Sequence, residues 1–429
     1  MEVKGISMSI RMKSGRSAVL LSGGLTAAMV LSIVSGVAAA PTPKPSAPVK
    51  CASEPGIDAT TVKLGIITPK TGAAAPTFLN FTESAQLRLD QENAKGGVFG
   101  RKLVATSYDD QGADAVQTLQ GNKAVSQDGM FGILAGSSAV GMFATLKQAG
   151  VPVMGSPGVP FSTDRNAFSP AGISTPLAAT TAVLERIKAA GATKVANINH
   201  ATPGAATSGN NTALLFPFVP GLTQVLRIAD ETQGAHDATS TALRIKSSGA
   251  DATILVMFVD GGVSIGQAMK SQGVTTKANV LSGLTDPSVI SRAGSALEGF
   301  LGQTSGLVAV GAPVPAMRTY ANAMKARGLN PYNSAGTVGY VAADLMIQGL
   351  KLAGKCPTRA DLITKLRNVD NYKGAGMLPG PISFRPGITP NGNPAKCTWF
   401  VQVVNGAPVA DKKATCGQII EFATGKVVN

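Results

Sequence analysis

Only two histidines, His200 and His236, occur in the 429 residues, so imidazole chemistry has few places to stand. The chain contains no Walker-type loop and no G-x-G-x-x-G. Ser138 follows Gly136 as an elbow nucleophile would, but Val140 occupies the place of the second glycine. No group of His, Cys and carboxylate has metal-ligand spacing. Catalysis, a metal and a cofactor are therefore not expected, and binding is. Gly136-Ser137-Ser138 can present backbone N–H groups and hydroxyls at the start of a predicted helix, an anion site without a fixed cation. The same geometry would serve if Ser137 or Ser138 simply capped that helix, so both readings stand.

Composition narrows the class. Hydrophobic residues make up 44% of the chain and charged residues 14%, which excludes a disordered chain. The net charge of +14 suggests nucleic acid, but the basic residues are scattered, with no run longer than Lys412-Lys413. No aromatics interleave with them to stack bases, and no nucleic-acid partner is expected. Residues 1–39 read as an export signal. Arg11, Lys13 and Arg16 precede an apolar stretch over 18–37 that ends in small residues. An uncleaved signal would tether the protein to the membrane; no other stretch is apolar enough to span one. Residues 40–57 begin with Pro41, Pro43, Pro45 and Pro48 and read as a stiff spacer. Export makes the four cysteines, Cys51, Cys356, Cys397 and Cys416, two disulfides rather than a zinc site; no C-x-x-C is present. Pro48-Val49-Lys50 before Cys51 is not a lipoprotein cleavage pattern.

The elements that must carry these residues alternate. Strands are predicted over 61–68, 102–108, 132–134, 151–154, 194–199, 252–259 and 279–282. Helices are predicted over 76–94, 114–127, 140–148, 178–190, 239–248, 262–271, 337–353 and 358–368. Gly150, Gly191, Gly249 and Gly273 stand where helices should stop. This rotation means βα units and parallel sheets. Strands over 381–384 and 398–404, with an Asn405-Gly406 hairpin turn, close the chain as an antiparallel appendage.

Within this frame, Asn93-Ala94-Lys95-Gly96-Gly97-Val98-Phe99-Gly100-Arg101-Lys102-Leu103 is followed by Tyr108-Asp109-Asp110, Ala124-Val125, Asp128-Gly129 and Gly136-Ser137-Ser138. That series resembles the first lobe of the leucine/isoleucine/valine-binding protein family, the type I solute-binding proteins of ABC importers. Thr68-Pro69 with Thr71-Gly72, Ser156-Pro157-Gly158, Gly339-Tyr340 and Gly380-Pro381-Ile382-Ser383-Phe384 are similar to other family segments. The likeness runs over about 58–405 and is weaker in the second lobe.

The resemblance implies two doubly wound parallel-sheet lobes joined by a three-segment hinge. Lobe 1 would be 58–173 and 307–374, and lobe 2 would be 177–303 and 377–416, with 417–429 a C-terminal tail. The crossings would lie near 174–176, 304–306 and 374–376. A ligand would sit between the lobes, with its carboxylate on Gly136, Ser137 and Ser138. Gly158 and Val159 would add backbone contacts, and Thr68 and Ala74 would line the first loop. Phe161, Phe258 and Tyr340 are candidate walls. In lobe 2 the family's amino-acid binders place a tyrosine and a carboxylate; here Pro203 and Leu284 stand near those positions. Asp260 or Asp286 could supply the anion an ammonium needs, or each could cap a helix. If neither faces the cleft, the ligand is neutral or a carboxylate. His200, at a strand end, is a further cleft candidate.

Strand order orients the cysteines. Cys51 precedes the first parallel strand and Cys356 follows the helix that opens near Tyr340, so both fall at the pole of lobe 1 away from the cleft. Cys397 and Cys416 flank the hairpin, where pairing Val404 with Ala407 sets 397 opposite 414. Of the three possible pairings, the expectation is Cys51–Cys356 and Cys397–Cys416. The functional expectation is a monomeric, exported, non-catalytic solute-binding protein at the cell surface or in the periplasm. It would take a branched-chain amino acid, an amide or a small carboxylate and deliver it to an ABC permease. The alternative is a ligand-sensing receptor subunit of the same fold.

Overall fold

The apolar residues of TVKLGIIT point to both faces of a strand, which demands cover on both sides. In the computed structural model of the chain, Thr61–Thr68 lies inside a five-stranded parallel sheet. The structure describes residues 51–428 except 52, 157, 233–235 and 305. The signal segment and residues 40–50 of the spacer therefore lie outside the described residues. The first sheet runs Lys102–Asp109, Thr61–Thr68, Gly132–Ala135, Val153–Gly155, Ala167–Phe168. One face carries the helices Phe81–Asn93 and Ser334–Ala353, with Phe81, Leu89, Leu345 and Met346 in the core. The other face packs Ile67, Ile133, Phe143 and Phe161.

The second sheet runs Ala407–Ala410, Phe400–Val404, Leu301–Gln303, Ala278–Ser282, Ala252–Val256, Lys194–His200, Thr223–Glu231. Its last five strands are parallel, and the first two join antiparallel as the expected appendage. Two clusters, around Ile265 and Leu281 and around Leu184 and Ile254, cover its two faces. Both sheets thus change direction at one switch point, where ligands of open α/β sheets bind.

Several expected elements change under tertiary contacts. The helix over 76–94 is a short turn, Ala75–Phe78, then Phe81–Asn93, broken at Asn80 in the left-handed region. The helix over 114–127 ends at Asn122 and continues as a wider turn to Gln127. The helix over 140–148 begins only at Phe143; in the turn before it Asp114 Oδ1 accepts the Val140 N–H at 2.7 Å. Ala178–Thr180 is a strand, and the helix behind it starts at Ala182. Residues 381–384 make only a bridge, Ile382 with Tyr372. The helices Pro203–Leu215, Pro287–Ala293 and Pro315–Ala326 and the strands Thr223–Glu231 and Leu301–Gln303 are further elements.

Three boundaries also move. Residues 53–57 are not spacer: the Lys63 N–H donates to the Gly56 carbonyl at 2.7 Å and Glu54 Oε1 accepts from the Arg359 N–H. Residues 377–393 stay with the first sheet. Met377 and Phe384 lie in its core, and Asn391 Nδ2 donates to the carbonyls of Phe161 and Asp164. The third crossing therefore falls near 394–398. The tail forms Ile419–Glu421, which pairs with Ala178–Thr180 on one side and with Lys426–Val428 on the other. Cys51 is bonded to Cys356 and Cys397 to Cys416. Cys397 faces Cys416 directly, while Val404 faces Ala407 as anticipated, so the register shifts by two residues between these ladders.

Candidate functional site

Parallel strands deliver their C-terminal ends to one side, and the two sheets turn those ends toward a shared cleft of about 440 Å³. Thr77, Phe78, Phe81, Ser138, Ser156, Gly158 and Phe161 line it from the first sheet's side. His200, Thr202, Ser208, Asn211, Met257, Phe258, Ser282 and Gln303 line it from the second. Ser174, Thr175, Thr304 and Thr398 come from the crossings. The crossings are tied together: Thr304 Oγ1 donates to the Trp399 carbonyl at 3.1 Å and Thr398 Oγ1 to the Thr304 carbonyl at 3.2 Å. The helix Ser334–Ala353, capped by Asn333 through the Ala335 N–H, sends Ser334, Ala335 and Val338 to the rim.

Of the residues expected in the site, Ser138, Gly158 and His200 line the cleft. The others are close by but committed elsewhere. Thr68 Oγ1 donates to the Gly136 carbonyl at 2.7 Å and fastens two strand ends together. Ala74 is buried in the core beside Phe78 and Phe81. Gly136 backs onto the Phe81 ring, where a Cβ would come within 2.4 Å. Ser137 Oγ accepts the Ala139 N–H at 3.2 Å in a turn that precedes the helix. That favours a local turn role for Ser137, and no helix N-terminus meets Ser138. The Val159 carbonyl accepts from Ser162 Oγ at 2.7 Å. Asp260 is exposed in the first turn of the helix Val259–Ser271. Asp286 caps the helix Pro287–Ala293 through the Ser288 N–H at 2.8 Å, and its other oxygen accepts from Asn330 Nδ2 at 2.7 Å. Among the expected walls, Phe161 and Phe258 line the cleft; Tyr340 instead donates to Gln91 Oε1 at 2.6 Å.

Among the described residues, the lining thus contains no Asp, Glu, Lys or Arg. Its titratable side chain is His200, the last residue of Lys194–His200, which is 2% exposed. His200 Nδ1 accepts the Phe258 N–H at 3.3 Å across the switch point of the second sheet. Burial, and after it the charge of His236, push the His200 pKa down to about 4. The ring is therefore neutral near pH 7, and with Nδ1 an acceptor its proton sits on Nε2. That Nε2 is buried without a hydrogen-bond partner among the described residues.

Sequence reasoning missed Thr202, Ser208 and Asn211. They ride on the helix Pro203–Leu215, which has no apolar periodicity. Its start was readable: Thr202 accepts the Ala205 N–H and proline follows it, a cap signature. The crossing residues carried no local signal. Among the described residues, no three His, Cys, Asp or Glu side chains group as a metal site, and no helix is long and apolar enough to cross a membrane.

No curated protein matches the chain. Solved structures resemble it widely at low identity. A leucine-binding protein from Thermotoga maritima aligns at a TM-score of 0.70 and 19% identity, over 82% of this chain and 98% of that one. A fatty acid ABC transporter substrate-binding protein from Thermomonospora curvata gives 0.71 and 21%, over 88% and 97%. A solute-binding protein from R. palustris, solved with benzoate, gives 0.67 and 17%, over 83% and 97%. These likenesses establish the type I periplasmic binding protein fold. The family model described as periplasmic binding protein matches residues 61–408, four-fifths of the chain, and the protein belongs to that family.

Proposed function

We propose that this protein is an exported, non-catalytic solute-binding protein that takes up a small molecule between its two sheets and hands it to an ABC-type permease. The observation that carries the reading is the cleft of about 440 Å³ lined by residues from both sheets. Such a volume suits one metabolite-sized ligand. The disulfides support an oxidising compartment. Each joins segments on one side of the cleft, so neither would hold the two sheets at a fixed separation. The test is a thermal-shift screen of metabolites on the purified mature protein, with solution scattering on each hit. A ligand at 100 times its Kd adds about 2.7 kcal/mol of stability. Ligand-dependent stabilisation with a smaller radius of gyration supports the reading. No stabilisation across a broad screen, or binding with an unchanged scattering profile, overturns it.

A further inference from the structure

Resting on that reading, the cleft also selects the kind of solute. Three features of its wall act together.

The first is charge. A ligand ammonium enclosed here would meet no carboxylate, because none lines the cleft among the described residues. The acids at and after the second sheet's strand ends are accounted for: Glu231, the last residue of Thr223–Glu231, is not in the lining and accepts from Thr241 Oγ1. Asp260 lies exposed, and both oxygens of Asp286 are engaged, by Ser288 and by Asn330. Burying an ammonium without an anionic partner costs several kcal/mol.

The second is the donor left over. His200 is almost fully buried, its Nδ1 is taken by the Phe258 N–H, and Nε2 lacks a partner among the described residues. A buried donor in that state asks for an acceptor. His200 lines the cleft, so a ligand oxygen can meet it there. The Ser138 hydroxyl, in the wall from the first sheet, makes no hydrogen bond among the described residues and adds a second donor. The third feature is apolar surface: Phe78, Phe81, Phe161, Met257 and Phe258 stand around these polar groups.

We infer that the ligand has an apolar body, one oxygen-acceptor head and no cationic group, the head being a carboxylate or an amide carbonyl received by His200 Nε2–H and Ser138. An α-amino acid is excluded from this class by its ammonium.

Matched series test this directly. Leucine is compared with 4-methylpentanoate and 4-methylpentanamide, and phenylalanine with 3-phenylpropanoate and 3-phenylpropanamide, by calorimetry on the intact mature protein. At least one compound lacking the ammonium should bind 100-fold or more tightly than its amino acid. A preference for the acid over its amide assigns an ionised head, and the reverse assigns a neutral one. Replacing His200 by Ala, or Ser138 by Ala if the first variant does not fold, should weaken that binding about tenfold, the loss of one hydrogen bond. The inference is overturned if the amino acids bind as well as their deaminated partners, if no deaminated compound binds at millimolar concentration, or if both folded variants bind normally. The solute-binding reading fails separately, when the broad screen finds no ligand at all or binding leaves the scattering profile unchanged.

Discussion

Replacing Asn330 with Asp should open the cleft. Asn330 belongs to the first sheet's side, where its carbonyl accepts from Asn80 Nδ2 at 2.8 Å. Its own Nδ2 reaches across to Asp286 Oδ2 at 2.7 Å, on the second sheet's side. Beside it Thr285 Oγ1 donates to the Tyr332 carbonyl, so the rims are joined at two points. Asp286 is 7% exposed, and a hydrogen bond to such a charged group contributes about 1.5–3 kcal/mol. That amount shifts an equilibrium about 10- to 150-fold. Asn330→Asp keeps the Oδ1 that accepts the Tyr332 N–H at 3.0 Å, but it sets a carboxylate against Asp286. The cap on Ser288 is untouched, so the second sheet's own stability should barely change. Because this contact exists only while the rims meet, its loss falls on the closed form. Ligand affinity should drop by up to that factor, and the ligand-free protein should show a larger radius of gyration. Solution scattering and calorimetry on wild type and variant provide the readout. Unchanged compactness together with a Kd within twofold of wild type would refute the idea that this contact holds the cleft shut.

Gly155→Ala should cost about 3 kcal/mol or more, since its Cβ would lie 1.8 Å from the Ala135 carbonyl oxygen and neither backbone can yield. Gly204→Ala, in a helix with open space around it, should instead stabilise the ligand-free protein by about 0.5–1 kcal/mol; urea melts compare the two. Arg367 is buried and donates to the carbonyls of Arg165 and Ala167 while its guanidinium lies 3.8 Å from the Phe168 ring centroid. Arg367→Met would leave those carbonyls bare and should lower stability by about 3 kcal/mol in the same assay. His200 titrates lower in the folded protein, about 4 against an ordinary 6.5, so the unfolded chain takes up the proton first. Its contribution is complete above pH 6.5 and declines as pH falls toward 4. The wild-type minus His200→Phe difference in stability should follow that course, and a difference independent of pH would contradict the buried neutral ring.

The βα alternation and the strands that need cover on both faces were legible in the local pattern of apolar residues. Thr61–Thr68 appears where its apolar residues demand it. Ser138, Gly158 and His200 were legible because each follows or ends a predicted strand, and parallel strand ends converge on one edge. Tertiary contacts decided the rest. Ala178–Thr180 reads as helix but pairs with Ile419–Glu421, about 240 residues away, which no local window contains. Residues 140–142 read as helix but form the turn before Phe143, where Asp114 on a neighbouring element accepts the Val140 N–H. Asp286 had two readings from sequence, cap or ligand anion. The choice fell to Asn330, 44 residues on, whose amide takes the oxygen that the cap leaves free. The cleft's lack of charge is the sum of such choices. A carboxylate's type and place in a loop are local, but what satisfies its oxygens is set by whichever distant segment packs against it.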